Sequence, residues 1–246
     1  MDIYNILDTQ IKSDVDISYL KSIAKHISIE KPAYLIQGGD WHDMPSLSYY
    51  DKGKKSHEVF NFIDDIEAGN YATEVFFGYL DKFWPQHKKN CMKIKLRGNH
   101  EDRIVRAFEF GDSNLREIIK RYKIDDSRWD KVIPFLKEFK IERCYFSHYF
   151  PKSGSGRPIA NAKSLIKEKH KTCIAYHQQG FQYHEEVGEN DKHINGIIAG
   201  ATYLHDEKYI GPNNGHFRGT FIMRNVVGSE FDLEKFSLKN LMKKYK

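Results

Sequence analysis

Asp8, Asp40, Asp43, Asn99, His100, His148 and His177 are the side chains of this sequence best suited to hold a metal ion or move a proton. They fall in five clusters. Asp8 stands alone, and Gly38-Gly39-Asp40 follows with Asp43 just beyond. Gly98-Asn99-His100-Glu101 is the third cluster, Ser147-His148 the fourth and His177 the fifth. Carboxylate, amide and imidazole donors without a thiolate suit Mn²⁺, Fe²⁺ or Zn²⁺ better than a structural cysteine site. Imidazole also changes charge near neutral pH, so a histidine among them can act as acid or base. Taken singly, each cluster has a plainer reading. Asp40 after two glycines is a turn residue or helix cap, Asn99-His100 a turn with a surface imidazole, and His148 beside Tyr145, Phe146 and Tyr149 a packed core histidine. The shared placement of all five carries the inference.

That placement depends on the elements in front of each cluster. Apolar segments at 3–7, 33–37, 91–96, 142–146 and 172–176 read as strands, and each runs into one of the clusters at its C-terminal end. Apolar residues at helical spacing mark helices over 17–29, 60–83, 102–110, 115–121 and 160–169. Later strands are expected at 196–202 and 219–227, and the basic tail, 239–246, reads as a solvated end. Strands alternating with helices argue for α/β layering. In such folds ligands collect outside the carboxyl ends of the strands, so residues distant in sequence can converge there.

A chain of 246 residues allows one to two domains at roughly 150 residues each. No linker, repeat or long charge block divides it, so a single domain over 1–246 is expected. Hydrophobic residues at 40% and charged residues at 30% exclude a disordered or fibrous chain. No apolar run approaches the roughly 18 residues of a membrane span. The first ten residues lack the basic and apolar regions of a secretory signal. Cys91, Cys144 and Cys173 lack zinc-site spacing and are odd in number, which speaks against a disulfide framework. A soluble cytoplasmic protein with reduced thiols and no membrane partner is expected. The net charge of +5 permits an anionic partner without requiring one.

The motifs resemble those of the calcineurin-like metallophosphoesterases, which carry D-x-H, G-D-x-x-D, G-N-H-E/D, a lone histidine and G-H-x-H in this order. Gly39-Asp40-Trp41-His42-Asp43 matches the second motif and Gly98-Asn99-His100-Glu101 the third. His148 fits the fourth and His177 the first histidine of the fifth. Longer phrases around them are similar to a branch common in bacteriophage genomes, which would place the protein in host cytoplasm. The resemblance implies two central β-sheets sandwiched between helices in four layers. It implies two divalent ions, manganese foremost, with iron, zinc or magnesium as alternatives. One ion would take Asp40, Asn99, His148 and His177; the other Asp8, Gln10, Asp40 and Gln179. Such a pair clamps a phosphoester and holds a bridging hydroxide for in-line attack. His100 would be the general acid and Asp43 the residue orienting it; Arg103 would grip the phosphate or make a surface ion pair.

Two glutamines depart from the pattern. Gln10 and Gln179 stand where the family places histidines on one metal, and an amide oxygen is a harder, weaker donor than imidazole. Tyr176 also replaces the glycine before the fifth-motif histidine. Asp64 and Asp65 lie inside a helical pattern and do not compete for the second motif. His42 either approaches a metal or substrate from behind the ligands or is a surface histidine on the loop. Beyond the motifs, Lys152 and Arg157 with the glycines and serines of 151–158 could cradle a phosphate or form a flexible loop. The stretch 181–195, with His184 and His193, reads as a hairpin or lid. Tyr49, Tyr50, Lys52, Lys54 and Lys55 mix rings and cations as a nucleic-acid strand would need, or form a solvated loop. The expected activity is phosphodiester hydrolysis on nucleic acid or nucleotides. The alternatives are a phosphomonoesterase, for instance on phosphoprotein, and a degenerate phosphate-binding protein.

Overall fold

A computed structural model of the chain describes residues 1–48, 61–187, 193–207 and 215–245. Its elements are, in order, β1 Ile3–Ile6, α1 Tyr19–Glu30, β2 Tyr34–Gln37, a 3₁₀ turn Pro45–Leu47, α2 Phe62–Phe83, α3 His87–Asn90, β3 Met92–Leu96, α4 Asn99–Phe110, α5 Ser113–Arg121, β4 Lys131–Ile133, β5 Phe139–Ile141, β6 Cys144–Ser147, α6 Ala162–Lys169, β7 Thr172–Ala175, β8 Gln182–Val187, β9 His193–Ile198, β10 Gly219–Val227, β11 Glu230–Ser237 and α7 Leu238–Lys244. Among the described residues two sheets form. The first runs β11-β10-β1-β2-β3-β4 and the second β5-β6-β7-β9-β8. β1, β2, β3 and β4 are mutually parallel, as are β6, β7 and β9. Antiparallel neighbours close the sheets through β10, β5 and β8.

β1, β2 and β7 are buried almost throughout because both of their faces are covered. Ile3 of β1 packs with Ile36, Ile94, Phe146, Ile174 and Phe221 in a core shared by the two sheets. Tyr4 and Ile6, pointing the other way, join α1, α2 and α7 in a second core with Leu20, Phe76 and Leu241. The second sheet is covered on its outer face by α6 through Leu165, Cys173 and Ile198. The architecture is thus α/β, with two sheets sandwiched between helices.

Several elements differ from the sequence reading. The helix expected from 102 begins at Asn99, so Asn99 and His100 lie in its first turn. β4 and β5 have three residues each, one of them exposed in each strand, and are too short to show a period. β11 is a further strand, in which Phe231 and Leu233 alternate with acids. The expected solvated tail is the amphipathic helix α7, which buries Leu238 and Leu241 and is capped by the Ser237 side chain. The stretch 181–195 supplies the β8–β9 hairpin, whose 188–192 connection lies outside the described residues, as do Tyr49, Tyr50, Lys52, Lys54 and Lys55.

Candidate metal centre

Parallel strands end together, and the five clusters meet there. Asp8 follows β1 by two residues and Asp40 follows β2 by three. Asn99 follows β3 by three, and His148 and His177 directly follow or lie just past β6 and β7. The loops after β1 and β2 zip together. Gln10 N donates to Asp40 O at 2.7 Å, Ile11 N to Trp41 O at 2.9 Å and Asp43 N to Ile11 O at 2.8 Å. Gln10 and Asp40 both adopt left-handed backbone, φ 48° and 51°; Asp tolerates it, while for Gln10 it is uncommon and of the kind often held at functional sites. Gly98 must be glycine, since a Cβ there would overlap Asp40 Oδ1 and N; Gly39, at φ +96°, would meet the His148 ring.

One carboxylate oxygen and two imidazole nitrogens of Asp40, His148 and His177 lie within 4.8 Å of one another. His148 is fixed by its other nitrogen, Nδ1, which stands 2.9 Å from Gly38 O. A proton on Nδ1 leaves the Nε2 lone pair facing Asn99 Oδ1 at 2.9 Å and Asp40 Oδ2 at 3.2 Å. His177 Nδ1 and Asp40 Oδ2 are buried without a hydrogen-bond partner. Acceptors converging on one buried point repel unless a cation stands between them, so these residues fit a divalent ion. Without one, a proton takes part of that role. Burial disfavours the charged His148, but Asp40 beside it outweighs burial and raises its pKa. His177, buried and repelled by His148, is pushed down to about 4. Burial raises the Asp40 carboxyl, yet His100, His148 and His177 hold it far below the usual range.

The other half is differently built. Asp8 is buried and faces Asp40, and both effects push its pKa well up. Its Oδ1 has no hydrogen-bond partner, while Gln10 Nε2 donates to Oδ2 at 3.3 Å. Gln179 is half-buried, with its carbonyl beside Gly200; the next residue, Ala201, bridges to Asp8. Tyr176 takes the space a side chain at Gly38 would need and donates its hydroxyl to Asn5 Oδ1 at 2.7 Å. The missing glycine at 176 is thus matched by a glycine at 38.

His100 sits beside this centre. Nε2 is 3.7 Å from Asp40 Oδ2, and Nδ1 is 2.7 Å from Asp43 Oδ1, close enough for an ion pair though off the line of a hydrogen bond. Asp43 is in turn held by Lys12 Nζ at 2.9 Å, and Lys12 by Glu207 Oε1 at 2.8 Å; His205 Nε2 meets the same Glu207 oxygen at 2.6 Å. Burial raises the Asp43 carboxyl, but His100 and Lys12 outweigh it and keep it ionised. The sequence reading missed Lys12 and Glu207, which lie 195 residues apart and carry no local signal. It also gave Glu101 no role. Glu101 accepts from Gly98 N at 2.8 Å, Asp40 N at 3.0 Å and His42 N at 3.1 Å, so it ties the third cluster to the second. Its position as N3 of α4, three residues after the N-cap Gly98, was the available signal.

Other candidates are placed elsewhere. His42 is neither a ligand of this group nor a surface residue. Its ring is buried against Gly69, Nε2 is 3.3 Å from Asn70 Oδ1, and burial holds it well below its ordinary pKa. Arg103 Nη1 donates to the carbonyls of Asp43 and Met44, both at 3.0 Å, and so braces the loop carrying Asp43. Asp65 lies within α2 and accepts from Ser46 N. His184 and His193 pair with Glu186 and Glu185 on their own hairpin. Residues 151–158 form an exposed turn closed by Lys152 N to Arg157 O at 2.8 Å.

No family model and no curated protein matches the sequence. The solved structure of YfcE, a phosphoesterase from E. coli, superposes with a TM-score of 0.45 over 98% of this chain and 95% of that one, at 12% identity. A second solved structure aligns over 96% of this chain and 99% of its own, with a TM-score of 0.37 and 12% identity. Both superpositions are too loose to transfer residue roles, and the geometry of the centre itself bears the functional reading. No helix among the described residues is long and apolar enough to cross a membrane.

Proposed function

We propose that this protein is a metal-dependent phosphoesterase of the calcineurin-like kind, acting by preference on phosphodiesters of nucleic acid or nucleotides. The observation that carries the proposal is the meeting of Asp40, His148 and His177, with Asn99 Oδ1 against His148, beside an Asp43-braced His100. Divalent ions held there, two if Asp8, Gln10 and Gln179 complete a second position, would neutralise phosphate charge and make a water acidic enough to supply the nucleophile; manganese suits the mixed oxygen and imidazole set. Asp40 would bridge the two positions, with Asn99, His148 and His177 on one side. His100 Nε2 would give its proton to the leaving oxygen, while Asp43 holds the opposite edge of the ring. Lys12 and Glu207 would keep Asp43 from swinging away, and Arg103 would hold the loop beneath it.

A second reading, a degenerate phosphate-binding protein, is favoured by one contact. The Gln10 amide presents its nitrogen to Asp8, an arrangement that a flip of the amide would reverse. Bis-p-nitrophenyl phosphate, p-nitrophenyl phosphate and single-stranded DNA, each with Mn²⁺, separate the readings. Turnover of the diesters supports the proposal, turnover of the monoester alone makes the protein a phosphomonoesterase, and phosphate binding with no turnover makes it a binding protein.

A further inference from the structure

α4 presents two faces. Asn99 and His100 meet the metal centre, while Glu101, Ile104 and Val105 line a cavity of about 580 Å³ on another side of the helix. That volume lies in the range of small-molecule sites, roughly 300–1,000 Å³. Its apolar lining includes Ile104, Ile119, Ile124, Val132 and Phe135. Phe135 makes ring contact with His148 at 6.2 Å and with Tyr149 at 5.4 Å, and Tyr149 touches His177 at 5.2 Å. One layer of rings therefore separates the cavity from the cation-competent cluster. Of the cavity's charged lining groups, Arg97 and Lys123 are cationic and Glu101 and Asp102 acidic; Glu101 is held by three backbone N–H groups and Asp102 is paired with Arg106. Arg97 and the buried Lys95 share the single carboxylate of Asp126, and Lys123 is exposed with no acidic partner among the described residues. At the cavity's open edge Val105 and Tyr122 are exposed, and outside its lining so are Phe108 and Ile118. On the same hairpin, α5 carries Arg116, Lys120 and Arg121 against Glu117 alone.

Apolar walls with a few polar groups at the edge fit a planar heterocycle, and Lys123 at the cavity with Arg116, Lys120 and Arg121 on α5 offers cations for the phosphates that flank it. Exposed rings interleaved with cations are what a single nucleic-acid strand stacks on. We infer that this cavity receives the nucleobase beside the scissile phosphate of a single-stranded nucleic acid, and that Tyr122 and Phe108 carry the strand onward along α4 and α5. The inference rests on the phosphoesterase reading above and narrows its substrate to nucleic acid.

The test uses the whole protein with Mn²⁺, a single-stranded DNA oligonucleotide and bis-p-nitrophenyl phosphate. Tyr122→Ala and Lys123→Glu change exposed residues, circular dichroism checks that both variants fold, and Tyr71→Ala on the exposed side of α2 is the control. Tyr122→Ala should raise KM for the oligonucleotide by about tenfold relative to any change on bis-p-nitrophenyl phosphate. Lys123→Glu should do the same at low salt, with the gap closing as salt rises. Equal shifts on both substrates, or none, would overturn the pocket while leaving the phosphoesterase standing. If the wild type hydrolyses neither substrate, the phosphoesterase reading fails by itself. Oligonucleotide binding by anisotropy then decides the pocket: weaker binding in both variants supports it, and unchanged binding refutes it.

Discussion

Glu101→Gln tests whether one buried carboxylate holds the centre together. Oε2 accepts from Gly98 N and Asp40 N, and Oε1 from His42 N, at 2.8, 3.0 and 3.1 Å. Glutamine keeps the shape but has a single acceptor oxygen. Its amide nitrogen must face either the Gly98 and Asp40 pair or His42, so at least one buried N–H loses its partner and meets another donor. An orphaned buried donor costs about 1–3 kcal/mol, and hydrogen bonds to a charged group are the stronger kind. A loss of about 2–4 kcal/mol follows, which in a chain of this size lowers Tm by roughly 5–15 °C. Asp40 is displaced along with its backbone N–H, so Mn²⁺ affinity should fall by more than the stability loss explains. Scanning calorimetry and a Mn²⁺ titration of the folded variant read both effects. A variant that melts with the wild type and binds Mn²⁺ unchanged would refute the clamp.

His100→Ala should slow substrates with poor leaving groups by about 10²–10⁴-fold and spare activated nitrophenyl esters, with metal content unchanged; an equal loss on both removes His100 from proton donation. Lys12→Met should weaken the same leaving-group dependence through a freed Asp43, and Lys12→Arg should restore it; if arginine fails to restore it, the ion pair is not what positions Asp43. Metal binding must displace the proton that Asp40 favours on His148, so Mn²⁺ affinity should fall about tenfold per pH unit below the raised His148 pKa and level off above it. His177, at about 4, joins that competition only in stronger acid; calorimetric affinity that is flat across this window contradicts the assignment. Gln10→His with Gln179→His should tighten the Asp8 position and turn its preference toward Zn²⁺, read by metal titration. Identical Mn²⁺ affinity in wild type and double variant would show that the glutamines do not set its strength.

Motif spacing alone predicted which residues would meet, because parallel strands end on one side of a sheet and the clusters stood at strand ends. Asp8, Asp40, Asn99, His148 and His177 needed only that rule and the apolar runs in front of them. The two-sheet architecture followed from the resemblance those motifs carry, and the apolar strands agree with sheets covered on both faces. What the sequence could not convey was set by contacts between distant segments. Lys12 meets Glu207 only once β1 and the segment after β9 lie side by side. His42 was ambiguous as a residue type, and a glycine on α2 decided it by giving its ring a buried seat. Tyr176 looked like a defect in a motif until the space at Gly38 was visible. Short edge strands such as β4 exist because a neighbour offers hydrogen bonds rather than because their own residues insist on it. Local spacing determines which groups arrive at the strand ends; three-dimensional packing determines which of them face one another and what shares their burial.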